Sequence, residues 1–208
     1  MGASTVSNII KTLKSTRLFV KNFNSRIKLK NDNFSIISNN CWGGQVYKNL
    51  GKPYNTPFVG LFIYGPCYIK LLENLDYYLH TPLTFTDTSE YKETPSYPVG
   101  LLHDIEIHFM HYTDENEAYE KWNRRLARFN WNNIFIKFSD RDLASKEHIQ
   151  RFDALAYPKV FFSSRNIPDI HSLVWFREFE NSPTVDNEML VYKKYFNAVK
   201  WLNTGKIS

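Results

Sequence analysis

The chain of 208 residues has two cysteines, no acidic residue before Asp32, and no run approaching the about 20 consecutive apolar residues that cross a bilayer. Each shortage removes a class of protein. The thiols, Cys41 and Cys67, stand far apart, neither in a CxxC pair nor among histidines at metal-ligand spacing, so neither a disulfide framework nor a structural zinc site is expected. No motif calls for a cofactor. There is no secretory apolar region, which makes the reducing cytoplasm the expected compartment, for a protein that is soluble or peripheral at the inner face of the membrane. Repeats and low-complexity tracts are also missing.

The shortage of acid is confined to one end, where Lys11, Lys14, Arg17, Lys21, Arg26, Lys28 and Lys30 crowd together. Seven of the 26 basic residues lie there, leaving 19 against 21 acids, so the rest of the chain is near neutral. That balance speaks against a nucleic-acid-binding core, which needs basic residues interleaved with exposed aromatics. Ile9, Ile10, Leu13, Leu18, Phe19, Val20 and Phe23 can form the apolar side of a basic amphipathic helix, making residues 7–30 a candidate contact with an anionic membrane surface. The plainer alternative is a packing helix with a solvated lysine face. The expected organisation is a basic arm over 1–31 and a single α/β domain over 32–208, and the chain's 16% aromatic content can fill a sizeable core.

Apolar periodicity predicts strands at Phe34–Ile37, Ile134–Phe138 and Val160–Phe162, and alternation predicts another at Ile105–Phe109. Helical spacing covers Gly43–Leu50, Pro66–Leu79, a segment capped by Thr113 and running to about Arg128, and Ser145–Leu155. Phe58–Tyr64 is a further apolar element. Thr81–Pro98 reads as a long loop with a short strand at Thr84–Thr86, the kind of segment that walls a site. The βαβαβ run predicts a mostly parallel sheet with helices on both faces, and in such sheets sites gather at the carboxyl ends of strands.

That rule gathers three groups distant in sequence. Ser38-Asn39-Asn40-Cys41-Trp42-Gly43-Gly44 puts a thiol where a strand hands over to a helix; the helix N-terminus would favour thiolate, and the amides after Cys41 would hold an oxyanion, with Gly43 and Gly44 allowing close approach of a ligand. His111 follows another strand and can exchange the proton, with His108 as the alternative base. Asp140, Asp142 or Asn40 can orient the imidazole. Arg124, Arg125 and Arg141 are candidates for a phosphate, or equally for salt bridges with Glu117, Glu120 or Asp142.

These motifs, with Asn55-Thr56-Pro57-Phe58, Asp104 to Tyr112, Ala118 to Arg125 and Ser139 to Asp142, resemble a bacterial domain-of-unknown-function family whose members are often labelled exopolysaccharide biosynthesis proteins. The resemblance runs over roughly Phe34 to Phe162, is expected to continue to the C-terminal helix with the basic arm outside it, and implies a surface-glycan context. The order of Cys, Pro-Phe, His and an Arg-rich helix is also similar to a family labelled putative papain-like cysteine peptidases, which implies a Cys41–His111 pair supported by Trp122, Arg124 and Arg125. The expected function is acyl-type transfer in surface polysaccharide assembly, from an activated sugar or acyl donor to a glycan acceptor. Two alternatives stand beside it. One is a glycosyl- or phosphoglycosyl-type transferase holding a divalent cation at Asp140 and Asp142. The other is a non-catalytic glycan-binding module that stacks sugars on Trp42, Tyr47, Tyr54, Tyr112 and Trp122.

Overall fold

Apolar runs without alternation, such as Ile134-Phe135-Ile136, are the mark of strands buried on both faces, and they form a parallel sheet. The fold is that of a computed structural model, which describes residue 20 and residues 22–207. Strands β1 (Ser35–Ser38), β5 (Ile134–Ser139), β6 (Lys159–Ser163) and β7 (Leu173–Trp175) lie parallel in the order β1-β5-β6-β7. One face carries Ile37, Ile136, Phe138 and Phe161 and is covered by α3 (Gly65–Glu73), α5 (Glu115–Leu126) and α6 (Lys146–Ala154). The other carries Ile36, Phe135, Val160 and Phe162 beneath α2 (Trp42–Leu50), α7 (Glu188–Tyr195) and α8 (Ala198–Thr204). Helices on both faces of a parallel sheet are what the sequence pattern predicts.

A second sheet was not in that pattern. Strands β2 (Thr84–Thr86), β3 (Val99–Leu102) and β4 (Ile105–His108) pair antiparallel, so the predicted strand at Ile105–Phe109 belongs here and not to the parallel sheet. Leu102 pairs with Ile105, which leaves His103 and Asp104 as a two-residue turn with His103 at φ 57°. So short a link permits only an antiparallel partner. The apolar element Phe58–Tyr64 joins the two sheets. Phe62 bridges to His108, and Ile63 N donates to Asn39 O at 2.8 Å, just past the end of β1.

Other departures are local. The helix predicted over Pro66–Leu79 breaks at Asn74 (φ −130°, ψ 48°) and resumes as α4 (Leu75–His80). Helix α5 is capped by Asp114, whose side chain accepts from Glu117 N, one residue later than the sequence places its cap. The predicted arm over 1–31 lies largely outside the described residues. Its described remainder, helical over 22–28 (α1), is tied to the body: Arg26 Nε donates to Asn49 O at 3.2 Å, and Asn203 Oδ1 accepts from Lys30 N at 2.8 Å. Among the described residues, no helix is long and apolar enough to cross a membrane.

Candidate functional site

The chain leaves β1 for α2 on one face of the sheet and leaves the adjacent strand β5 for α6 on the other. Neighbouring parallel strands whose connections diverge in this way open a crevice at their carboxyl ends. A cavity of about 510 Å³ lies there, with Asn40 and Cys41 from the end of β1, Arg141 and Asp142 from the end of β5, and Glu188 from the first turn of α7. Phe62, Tyr64, Lys92, Tyr97 and His111 supply the wall on the side of the second sheet. A larger groove of about 760 Å³ adjoins it through Asp142; its lining mixes Leu143, Ile149, Ile167 and Ile170 with Asp140, Lys146, Arg165 and Asp169 and holds no thiol or imidazole.

Cys41 is the residue before α2, in helical backbone geometry, and its side chain makes no capping bond. Its Sγ is 3.8 Å from Leu61 O. Burial pushes the thiol above its ordinary pKa; Lys137 opposes the shift, while Glu188 and Asp142 add to it. The expected bias toward thiolate is therefore reversed, with desolvation the largest cause. Cys41 rests as a thiol and needs a base.

Beneath it lies a polar cluster absent from the sequence reading. Lys137 projects from the middle of β5, fully buried, and its ammonium bonds Glu188 Oε1, lies 3.4 and 3.3 Å from the Oδ1 atoms of Asn39 and Asn40, and sits 5.3 Å from the centre of the Phe162 ring. Burial lowers its pKa against the pull of Glu188. Glu188 is 2% exposed, and its second oxygen, Oε2, has no hydrogen-bond partner among the described residues. Asp142, at φ 57°, meets Asn39 Nδ2 at 3.4 Å, and burial raises its carboxyl pKa against Arg141 and Lys137. Gly65 sets the distance between the two walls. Its amide donates to Asp142 O at 2.7 Å, and a Cβ there would lie 2.9 Å from Leu143 O.

The two candidate bases separate cleanly. His111 is exposed, lines the cavity and is fixed by its own amide, which donates to Gly60 O at 3.1 Å. His108 is fully buried behind the wall, stacked on Phe62 at 4.7 Å and edge-on to Tyr64 at 5.0 Å. Its Nε2 lies 3.3 Å from Glu106 Oε2, yet neither ring nitrogen has a well-aligned hydrogen bond, and burial lowers its pKa despite that carboxylate. His108 has no route to the thiol.

Several predicted site residues do other work. Asp140 is spent on the sheet: Oδ2 accepts from Ser163 Oγ and Ser164 N, and Oδ1 from Val185 N, so it does not orient His111. Asn40 Oδ1 accepts from Trp42 N at 3.1 Å and from Lys137, so it caps α2 instead of holding the imidazole, and it occupies one of the three amides proposed for an oxyanion. Gly43 and Gly44 serve packing, since a Cβ on Gly43 would meet Ile36 Cγ2 and Ser38 Cβ at 3.2 Å and one on Gly44 would meet Val59 Cγ1 at 3.1 Å. Their amides in the first helical turn have no acceptor among the described residues.

The α5 residues lie outside the cavity. Arg125 is buried, with Nη1 donating to Val59 O and Tyr112 Oη and its guanidinium 5.1 Å from the centre of the Tyr54 ring. Trp122 packs edge-on against Phe58 in the core, and Arg124 is exposed on the helix. Of the predicted arginines only Arg141 reaches the cavity, with Lys92 as a second cation. The aromatics predicted to stack on sugars are core: Trp42, Tyr47, Tyr112 and Trp122 are all buried, and Tyr54 packs edge-on to Tyr47 at 5.9 Å. The aromatic faces at the cavity belong to Phe62, Tyr64 and Tyr97 instead.

Of the residues missed, Lys137 had a signal: a lysine inside Ile134-Phe135-Ile136-Lys137-Phe138, a strand buried on both sides, must find a buried anion. Glu188 had none, because nothing local ties it to β5. Among the described residues no group of three or more His, Cys, Asp or Glu gathers at metal-holding range. The family described as Domain of unknown function (DUF1919) matches residues 12–203, so the match reaches the C-terminal helix as expected and, against expectation, takes in most of the basic arm. An uncharacterized protein of Haemophilus influenzae is 40% identical over 198 residues, covering 91% of this chain and 93% of its own length.

Proposed function

Because the chain belongs to the DUF1919 family, a bacterial domain of unknown function, we propose from the cavity alone a reaction: acyl transfer through Cys41, with His111 as its base. The observation that carries this is that a thiol at a strand-to-helix junction and an accessible imidazole from the other sheet line one cavity at the carboxyl ends of two adjacent parallel strands. His111 takes the Sγ proton, and the thiolate attacks the carbonyl carbon of an activated acyl donor. As the donor's leaving group departs, it receives that proton back from the imidazolium. The amides of Gly43 and Gly44, without acceptors among the described residues, would supply the donors for the oxyanion. Arg141 and Lys92 suit a donor carrying phosphate.

The setting we propose is surface polysaccharide assembly at the inner face of the membrane, with a glycan as acceptor. Its support is the likeness to proteins labelled for exopolysaccharide biosynthesis. For the membrane, support comes from Val20, Phe23 and Ile27, which are 51%, 52% and 68% exposed in a basic segment without acids. The metal-dependent alternative is disfavoured by the donor set, since both oxygens of Asp140 already accept from protein groups.

The direct test is intact-mass spectrometry after incubation with an acetyl thioester of N-acetylcysteamine. A single acetyl adduct on Cys41 is expected, absent in Cys41→Ala and strongly slowed in His111→Ala. Adduct formation at equal rates with and without His111, or none on Cys41 at any pH, would overturn the reading.

A further inference from the structure

Among the described residues, Glu188 Oε2 is the one buried side-chain nitrogen or oxygen lining the Cys41 cavity that has no hydrogen-bond partner. The residue is 2% exposed and lines the cavity, and its other oxygen is held by Lys137, which is itself fully buried. The remaining buried side-chain atoms without partners among the described residues, in Trp42, His108, Ser139, Ser164 and Trp201, belong to residues that do not line this cavity. A buried carboxylate oxygen without a donor is costly, so it is kept where a ligand supplies the donor.

The ion pair fixes how that oxygen is presented. Lys137 reaches Glu188 from β5 while also touching Asn39 and Asn40 at the end of β1. The carboxylate is thereby anchored to both strands that bound the crevice. Asn187, at φ 47°, turns the chain into α7 just before it, so Glu188 enters the cavity on the first residue of a helix and not on a free loop. A carboxylate held this way offers the lone pairs of one oxygen from a fixed place beside the cavity that Cys41 also lines.

We infer that Glu188 Oε2 is the binding and proton-accepting group for the acyl acceptor, a nucleophile that brings an O–H or N–H into the Cys41 cavity. This rests on the thiol reading above and assigns its second half. The acceptor oxygen or nitrogen attacks the thioester carbonyl of acyl-Cys41, and its proton passes to Glu188 Oε2. The C–S bond then breaks, and the departing thiolate takes that proton, restoring both the thiol and the carboxylate. His111 serves the first half and Glu188 the second, so two bases of different exposure divide the cycle.

The test is the lifetime of acetyl-Cys41, formed from the N-acetylcysteamine thioester and followed by intact mass in water, in glycerol and in methylamine. In Glu188→Gln, which keeps an oxygen for Lys137, acetylation is faster than in wild type, because the carboxylate that holds the thiol pKa up is gone, but the adduct once formed persists about 100-fold longer or more, the usual contribution of a positioned base. Glu188→Asp draws the carboxylate back by one methylene and lengthens the lifetime by less, which provides a second reading should the glutamine variant fail to fold. Faster decay in glycerol than in methylamine identifies a hydroxyl acceptor, and the reverse identifies an amine. Adducts of equal lifetime in all three proteins would overturn the role of Glu188 while leaving the thiol reading intact. Absence of any adduct or thiol release in wild type and variants alike would overturn both.

Discussion

Replacing Lys137 by methionine puts the buried ion pair to its severest test. The lysine side chain is fully buried and Glu188 is 2% exposed, so the substitution fills the space with a similar volume and leaves a carboxylate inside the protein without its cation. Removing one partner of such a pair costs about 3–5 kcal/mol, whereas exchanging both for apolar groups is often neutral. The expected order is therefore unusual: Lys137→Met is strongly destabilised, and Lys137→Met with Glu188→Met recovers most of the loss. Domains commonly hold about 5–15 kcal/mol, so the single variant should still fold at low temperature. Urea melts followed by tryptophan fluorescence suit this chain, because Trp42, Trp122 and Trp201 are buried in the two cores. With a slope of about 2 kcal/mol per molar, the midpoint should fall by about 1.5–2.5 M in the single variant. A loss below about 1 kcal/mol, or a double variant no better than the single, would refute the geometry of a desolvated pair supporting the site.

Two further outcomes concern Cys41 and the basic end of the chain. Since burial raises the Cys41 thiol above its ordinary value, with Lys137 opposing, the thiolate fraction grows only as pH rises beyond that value; iodoacetamide labelling at pH 8 should be slower than for a free cysteine, increase through alkaline pH, and be slower still in Lys137→Met. Labelling that is faster than free cysteine at pH 7 would contradict it. At the basic end, co-sedimentation with phosphatidylserine vesicles but not phosphatidylcholine vesicles is expected, weakened by salt and by Phe23→Glu with Ile27→Glu; equal pelleting with both lipids, or none, would remove the membrane proposal.

Local sequence carried much of the site's frame and little of its chemistry. The junction at Cys41 is legible because a β-type apolar run, a polar turn and a glycine-stopped helix are short-range signals, and the structure puts α2 there, ending at Gly51 with φ 64°. His111 was chosen by its position after a strand, and it does reach the cavity, although that strand pairs in the other sheet and arrives through the Phe62 bridge. Asp140 was chosen by the same rule and is bound to β6 and Val185 instead, because a strand-end carboxylate bonds whichever amides the neighbouring strand presents. The pair Gly43–Gly44 reads equally as ligand access or as close packing, and only the 3.1–3.2 Å spacing to Ile36, Ser38 and Val59 distinguishes them.

By itself, the sequence determined that this is an α/β protein with helices on both faces of a parallel sheet and a thiol at the end of its first strand. Apolar period, caps and turn residues act over a few positions and so can be read in one dimension. Only the tertiary structure decided that Lys137 and Glu188 meet beneath Cys41, that His111 and not His108 faces the cavity, and that burial leaves Cys41 protonated. Those outcomes depend on which distant segments exclude water from one another, and desolvation is a property of the packed volume that no local run of residues contains.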